Sequence, residues 1–278
     1  MQYQTNKLSK SFGVEVIGVK LHSNMEQKVI NEIEELILKN KVVVFRGQDF
    51  TPEEQIAFCK QFGETALHPL KQNTCPYNDM TYISNISEKG VNLGYPGPSF
   101  PIWHSDLCYE PNPPKFSFLY AEKVPDKGGN TIFANSTLAY EELDADLKEK
   151  LKDKLAVFGF SEKLMQRCKD KNYDLVIAKE DQRPDFLHPV FRTHPSTKKK
   201  SIFVNWTHTD SIKGFSDKES SKYLDELFKH STKDRYTYSH NYDKNDLIIW
   251  DNSATLHTGD GSIEIDKPRV MRRVVIRY

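Results

Sequence analysis

Apolar residues recur with helical spacing near the start of the chain, and short apolar runs follow throughout the remainder. Five of them, at positions i, i+1, i+4, i+7 and i+8, share one face of a predicted helix: Val29, Ile30, Ile33, Leu36 and Ile37. The run VVVF at 42–45 comes soon after, and its wholly apolar, β-branched composition predicts a short buried strand. The N-terminal third is therefore expected to alternate helix and strand.

Three more helices are predicted from their start signals. Thr51 and Glu54 form a capping box, and Pro52 stands at the first helical position between them. A third helix is expected over about 137–152. A fourth is expected to begin near Ser216, again with a glutamate three residues later.

Short β-branched or aromatic runs predict six more strands: FSFLYA (116–121), TIFA (131–134), LAVFGF (155–160), SIFVNW (201–206), DLIIW (246–250) and VMRRVVIRY (270–278). Turn signals separate several of them, including PSTKKK at 195–200. Many short strands with a few outer helices predict a β-rich α+β fold, with a jelly-roll or cupin-like core and flanking helices. One domain over 1–278 is expected. The polar stretch 161–186 is either a mobile flap or a long surface excursion.

Composition narrows the class of protein. The 278 residues are 37% hydrophobic and 28% charged, with 39 basic and 39 acidic side chains, so no net charge favours nucleic acid or an anionic membrane. The start MQYQTNKLSK has no apolar segment of the kind that a secretory signal contains. The four cysteines are widely spaced without a CxxC pair, which is typical of reduced thiols in a cytoplasmic protein.

The stretch PIWHSDLCYE places His104 and Asp106 two positions apart in a mostly apolar run. On a strand, both side chains would face the same way, into the barrel. Two histidines and one carboxylate on one face of a metal are typical of non-haem iron(II) sites. His257, after the strand DLIIW, is the best candidate for the third ligand. A hydrogen-bonded polar pair is the simpler alternative, and a second copy of the spacing begins at His208.

The C-terminal strand in KPRVMRRVVIRY carries Arg269 and Arg273 four residues apart, on one face. Burying two guanidinium groups is expensive unless each meets an anion, and the guanidinium fork matches a carboxylate. Four residues of strand span about 13 Å, so the two arginines are expected to bind different anions. Structural salt bridges, or a position at the barrel rim, are the alternatives.

Six motifs in one order resemble the taurine dioxygenase family, which includes 2,4-dichlorophenoxyacetate dioxygenase. They are WHSD, GGNT at 128–131, HPVFRTHP at 188–195, FVN at 203–205, WDNSATLH at 250–257 and PRVMRR at 268–273. The resemblance covers nearly the whole chain. It implies a double-stranded β-helix, iron(II) as the metal, and 2-oxoglutarate and O2 as cosubstrates.

The same resemblance implies roles for individual residues. The residues that match the iron ligands are His104, Asp106 and His257. The residues that match those holding the distal carboxylate of 2-oxoglutarate are Thr131 and Arg269. The residues that match substrate-binding positions are Arg273, for the anionic group of the substrate, and His68, Leu107, Phe160 and His208.

The expected function is oxidation of a small organic anion, such as a carboxylate or sulfonate, by hydroxylation or desaturation, with release of succinate and CO2. Asp106 favours this outcome over halogenation, because related halogenases have a small residue in its place. Two other functions stay open at this point: a non-catalytic cupin-like protein that binds a metabolite, and a zinc-dependent hydrolase that uses the same three ligands. A homo-oligomer is compatible with the sequence.

Overall fold

The computed structural model describes residues 3–67, 75–88, 91–94, 101–160, 162–173, 175–262 and 267–278. Within these ranges, the α-helices are α1 (Gln27–Asn40), α2 (Pro52–Lys60), α3 (Ser136–Glu141), α4 (Ala145–Leu151), α5 (Glu162–Lys169) and α6 (Asp217–Ser231). A single 3-10 turn, Asp234–Tyr236, follows α6. None of the helices in the described part is long and apolar enough to cross a membrane.

The strands of the described part are short, and they alternate with the helices in the N-terminal third. They are β1 (Gln4–Lys7), β2 (Val14–Ile17), β3 (Val42–Phe45), β4 (Thr81–Ser84), β5 (Ser87–Glu88), β6 (Val91–Asn92), β7 (Phe116–Lys123), β8 (Thr131–Asn135), β9 (Leu155–Phe160), β10 (Arg183–Pro189), β11 (Phe191–Thr193), β12 (Lys200–Ile202), β13 (Thr209–Ile212), β14 (Thr237–His240), β15 (Leu247–Asp251), β16 (Thr255–Gly259) and β17 (Val270–Ile276).

The largest sheet has the strand order β1-β2-β3-β15-β7-β17-β4. β15 pairs antiparallel with both β3 and β7, and β17 pairs antiparallel with both β7 and β4. β2 and β3 run parallel. Strands from both ends of the sequence therefore share one sheet, and β17, which carries Arg273, lies between β7 and the edge strand β4.

The two faces of this sheet are buried against different partners. Val43 of β3 packs in one hydrophobic cluster with Ile33 of α1 and Phe58 of α2. Val44 packs in another cluster, with Phe133 of β8. Helices thus cover one face and a second sheet covers the other, which explains why the run 42–45 is apolar at every position rather than at alternate ones.

The smaller sheets complete the structure and carry parts of the site. β14, β8 and β16 form one three-stranded sheet, and β10, β9 and β13 form another. β11 and β12 form a hairpin whose connection contains Lys198 and Lys199, as the turn signal there predicted, and Lys200 begins β12. Thr131 begins β8 and His257 lies in the middle of β16, so the antiparallel pairing of these two strands brings both residues to one side of the molecule.

The capping-box helices were predicted correctly, but the helix expected over 137–152 is wrong. The chain forms two short helices there, α3 and α4. Asp144 interrupts them: its backbone is extended (ψ 138°), and its side chain accepts a hydrogen bond from the amide of Leu147. An aspartate in that conformation caps a new helix and cannot continue the previous one.

The strand expected over 201–206 is also shorter than predicted, because it ends at Ile202. Asn205 turns the chain instead. The side-chain Oδ1 of Asn205 accepts a hydrogen bond from the backbone amide of His208 at 2.9 Å, and the backbone amide of Asn205 donates to Thr209 Oγ1 at 3.0 Å. These local bonds replace the ladder that a continued strand would need, and they orient His208.

Candidate active site

His104 and His257 face each other across an isolated antiparallel bridge. The amide of His104 donates to the carbonyl of His257 at 3.0 Å, and the reverse bond is 2.8 Å long. Asp106 lies beside both rings: its Oδ1 is 4.0 Å from Nε2 of His104, and its Oδ2 is 3.9 Å from Nε2 of His257. In the described part of the chain, this is the one group of three His, Cys, Asp or Glu residues whose ligand atoms converge, all within 4.8 Å.

The expectation that His104 and Asp106 lie on one strand is wrong. His104 belongs only to the isolated bridge, and a turn over 106–109 follows it. Asp106 is held near the histidines by two hydrogen bonds from the large sheet. Its Oδ2 accepts from Ser117 Oγ at 2.6 Å, and its Oδ1 accepts from Arg273 Nη1 at 2.5 Å. The turn and these two bonds therefore produce the convergence that the sequence assigned to strand alternation.

The protonation states of the three groups fit a metal ion. Burial lowers the pKa of His104, and it lowers the pKa of His257 to about 3, so both rings are neutral. Nδ1 of His104 donates to the carbonyl of Ile102 at 2.8 Å, which leaves the Nε2 lone pair facing Asp106. Burial alone would raise the pKa of Asp106, but the charge of Arg273 and the neighbouring His257 hold it well below its usual range. Two neutral imidazoles and one carboxylate are the donor set of non-haem iron(II).

Arg273 pairs with an internal carboxylate, where the sequence argument expected an anion of its own from the substrate. Its side chain is 9% exposed, and Nη1 bonds to Asp106. The pairing is incomplete, however. Nε of Arg273 is buried and has no hydrogen-bond partner among the described residues. Arg273 therefore both holds Asp106 and keeps an unused donor at the site.

Arg269 lies immediately before β17 and is buried. Its Nε donates to the carbonyl of Gly129 at 2.9 Å. Within the described part of the chain it forms no ion pair, and burial lowers its pKa. Thr131, which begins β8, lines the same cavity. A buried guanidinium without a carboxylate ion pair, in a cavity that also contains a hydroxyl, can accommodate an external anion.

One cavity of about 260 Å³ joins these groups. The candidate metal ligands, Thr131, Arg269 and Arg273 all line it. The other residues predicted to contact substrate line it as well: Leu107, Phe160 and His208. His68, the remaining predicted residue, lies outside the described residues.

Leu107 and His208 have local features that direct them into this cavity. Leu107 has a φ of 46°, which is uncommon for a residue with a β-carbon and follows from its place in the turn after Asp106. Nδ1 of His208 lies 3.2 Å from the carbonyl of Gly159, to which it donates. Burial lowers the pKa of His208 to about 3, so the ring is neutral and its Nε2 is an acceptor. His208 lies beside His104, with ring centroids 6.2 Å apart.

Sequence reasoning missed the aromatic and aliphatic wall of the cavity. Tyr109 stacks on Phe160 with ring centroids 4.8 Å apart and planes 16° apart. Leu164 from α5, and Tyr173 and Leu175 from the segment after it, also line the cavity. No motif marks these residues, because they come from a turn and from a weakly periodic segment.

The two histidines of the HPVFRTHP motif, His188 and His194, do not line the cavity. His188 Nε2 donates to the carbonyl of Glu110 at 2.9 Å, and burial lowers the pKa of His188 to about 4. His194 Nε2 lies 3.0 Å from Oδ2 of Asp251. Nδ1 of His194 accepts from the amides of Ser196 and Thr197. Both rings thus hold loops in place.

Comparison with known proteins places this geometry in a family. Residues 4–275 match the model of the taurine catabolism dioxygenase TauD, TfdA family. The chain is 30% identical to an alpha-ketoglutarate-dependent 2,4-dichlorophenoxyacetate dioxygenase of Cupriavidus pinatubonensis, over 98% of this chain and 97% of that one. It is 29% identical to an alpha-ketoglutarate-dependent sulfate ester dioxygenase of Pseudomonas putida, over 99% and 90% of the two chains.

Solved structures agree with the sequence matches. A taurine dioxygenase from Burkholderia xenovorans superposes with a TM-score of 0.80 at 27% identity, covering 99% of this chain and 90% of that one. AAD-2 in complex with Mn(II) and N-oxalylglycine superposes with a TM-score of 0.81 at 28% identity, covering 99% and 97%. These likenesses confirm the predicted β-rich α+β fold. The chain belongs to the taurine catabolism dioxygenase TauD, TfdA family.

Proposed function

We propose that this chain is an iron(II)- and 2-oxoglutarate-dependent dioxygenase that oxidises a C–H bond of a small organic anion, releasing succinate and CO2. The observation that carries the proposal is the convergence of His104, Asp106 and His257 at the wall of one cavity that also contains two buried arginines. Bound iron would supply oxygen activation at the three ligands. O2 and 2-oxoglutarate are the cosubstrates of this chemistry.

The metal ligands in this proposal are His104, Asp106 and His257. Their Nε2 and carboxylate atoms converge, and no other cluster of this kind exists in the described part of the chain. His104 and Asp106 are each oriented by a further hydrogen bond: His104 Nδ1 donates to the carbonyl of Ile102, and Asp106 accepts from Ser117 Oγ. Such outer bonds fix ring orientation and carboxylate geometry before a metal arrives.

Thr131 and Arg269 are proposed to bind the distal carboxylate of 2-oxoglutarate. Arg269 is buried at the cavity and forms no ion pair with a described carboxylate. A guanidinium and a hydroxyl together provide the charge and the donors that a carboxylate needs in a dry site. The keto acid end of the molecule would then face the metal ligands.

The substrate is proposed to carry a carboxylate, sulfonate or sulfate group bound by Arg273, with an apolar body against Tyr109, Phe160 and Leu107. The free Nε of Arg273 supports the anionic end. The stacked pair Tyr109 and Phe160 supports the apolar end. The printed names of two relatives, a 2,4-dichlorophenoxyacetate dioxygenase and a sulfate ester dioxygenase, describe substrates of this type. His208 Nε2 and His68 are proposed as further substrate contacts.

The architecture is proposed to be a single double-stranded β-helix domain over 1–278. The packing of the large sheet against β8 supports it. Within the stretch 161–186, α5 and the residues after it form one wall of the cavity, and we propose that they close over bound substrate.

A cytoplasmic location is proposed because all four cysteines are free thiols. A homo-oligomer stays a prediction.

One spectroscopic experiment tests the assignment. Anaerobic addition of iron(II) and 2-oxoglutarate should produce a weak visible charge-transfer band, which a zinc hydrolase or a protein that only stores a metabolite would not develop. A screen of sulfonates, alkyl sulfates, aryloxyacetates and amino-acid derivatives for stimulated succinate formation then identifies the substrate. Absence of the band in iron-loaded protein would refute the proposal.

A further inference from the structure

Tyr242 lies behind the proposed cosubstrate site, two residues after the end of β14. Its hydroxyl donates to Thr131 Oγ1 at 2.9 Å, and its ring centroid is 5.7 Å from Cζ of Arg269. The side chain is 6% exposed and packs in the hydrophobic cluster with Phe133 and Trp250. Unlike Thr131 and Arg269, it does not line the cavity. One residue outside the cavity thus contacts both residues proposed to bind the distal carboxylate.

The direction of the hydrogen bond determines what Thr131 can do. A phenol has one proton, and the only acceptor for it in the described part of the chain is Thr131. Burial raises the pKa of Tyr242 well above its usual range, against the opposing effects of Arg269 and Thr131, so the phenol keeps that proton. Oγ1 of Thr131 is therefore an acceptor towards Tyr242, and its own proton is free for an acceptor in the cavity.

Tyr242 can influence both the donor strength of Thr131 and the charge of Arg269. A hydroxyl that accepts one hydrogen bond becomes a better donor in the next, since chains of hydrogen bonds polarise one another. The face of an aromatic ring near a guanidinium also favours the cation electrostatically. Tyr242 would thereby orient the hydroxyl of Thr131 and stabilise the charge of Arg269 through two different parts of one side chain.

We propose that Tyr242 is a positioning residue for 2-oxoglutarate: its hydroxyl presets Thr131 as a donor to the distal carboxylate, and its ring supports Arg269. The inference rests on the proposed function and deepens it, because it explains how the carboxylate site is organised before the cosubstrate binds. The alternative is that Tyr242 only fills the core between β8 and the large sheet.

Tyr242→Phe separates these two roles, because it keeps the ring and its packing but removes the hydroxyl. The matched control is Tyr238→Phe. Tyr238 lies in β14, four residues before Tyr242, and its hydroxyl bonds to His240 Nδ1 at 2.8 Å and not to Thr131. Binding is measured by anaerobic titration of the iron-loaded protein with 2-oxoglutarate. A second titration uses 2-oxobutyrate, which has the keto acid but lacks the distal carboxylate.

Tyr242→Phe should weaken 2-oxoglutarate roughly three- to tenfold, the usual range for one hydrogen bond. It should leave the affinity for 2-oxobutyrate within about twofold, and Tyr238→Phe should change neither. In a Thr131→Val background, Tyr242→Phe should have almost no further effect on 2-oxoglutarate, since the acceptor of its proton is gone.

Four results would overturn the inference. They are unchanged 2-oxoglutarate affinity in Tyr242→Phe, an equal loss for 2-oxobutyrate, the same loss in Tyr238→Phe, and a full effect in the Thr131→Val background. Melting temperatures of all variants identify a general loss of stability, which would weaken both ligands alike. Wild-type protein that fails to bind 2-oxoglutarate at all would instead overturn the proposed function, and the inference with it.

Discussion

Nη1 of Arg273 and Oδ1 of Asp106 form a buried ion pair 2.5 Å long, between residues 167 positions apart in the chain. Arg273, which the sequence analysis predicted to bind the anionic group of the substrate, is thus also the partner of a candidate metal ligand. Because Nε of Arg273 keeps no described partner, one guanidinium can hold Asp106 and still meet a substrate anion. The proposed anchor for substrate and the proposed metal site are coupled through this pair.

Arg273→Gln should abolish most substrate-stimulated succinate formation while the charge-transfer band with 2-oxoglutarate persists. Loss of one partner of a desolvated charge pair costs roughly 2–5 kcal/mol, so the substrate KM should rise about a hundredfold. The matched control is Arg272→Gln, one position earlier on the other face of β17, where the guanidinium donates to the carbonyl of Phe50. That control should lower the melting temperature without a selective rise in KM.

The two His-x-Asp copies should behave differently. His104→Ala, Asp106→Ala and His257→Ala should each lose iron binding, because each removes one of three converging ligand atoms. His208→Ala should retain iron and change substrate preference, since its Nδ1 is bonded to Gly159 and its ring only borders the site. Iron titration of the four variants checks this, and retention of iron in His104→Ala with loss in His208→Ala would reverse the assignment.

Arg269→Ala should weaken 2-oxoglutarate by roughly a hundredfold or more, on the basis that an unpaired buried charge costs about 3–5 kcal/mol. Thr131→Val should have a smaller effect, because it removes one neutral donor. Anaerobic titration gives both dissociation constants. An unchanged constant in Arg269→Ala would show that the distal carboxylate binds elsewhere.

Phe160→Ala should admit anions with a bulkier apolar body, because it removes the ring that stacks on Tyr109 at the cavity wall. Its stability should fall by about 3–5 kcal/mol. Phe158→Ala is the control: Phe158 is fully buried two residues earlier on β9 and does not line the cavity. It should cost similar stability and leave the order of substrate preference unchanged, as measured by kcat/KM across a series of chain lengths.

His188 should make the fold less stable in acid. Its pKa falls from about 6.5 in the unfolded chain to about 4 in the folded protein, because burial disfavours the charged ring. Between these values the unfolded chain binds more protons, so the stability that is complete above about pH 6.5 is lost as pH falls, by at most about 1.4 kcal/mol per unit. His188→Gln keeps a donor for the carbonyl of Glu110 and should flatten this slope. Urea unfolding of the metal-free protein at several pH values measures the difference.

The sequence predicted correctly those structural features that depend only on residues close together in the chain. The capping boxes at Thr51 and Ser216 and the apolar face of α1 need only residues within a few positions of each other. Asp144 carried a signal too, since aspartate favours a helix start, but helical periodicity on both sides of it concealed the break. The strand alternation assigned to His104 and Asp106 failed because a turn starts at Asp106.

The sequence by itself determined the β-rich class of fold, the family resemblance and the residue types that could bind iron, a dicarboxylate and an organic anion. Only the tertiary structure decided that Arg273 pairs with Asp106, that Tyr242 bonds to Thr131 and that Tyr109 stacks on Phe160. The physical reason is the range of the contacts. Periodicity and capping record interactions between neighbours in the chain, whereas these pairs depend on which strands align and in what register, and that is set by the packing of the whole core.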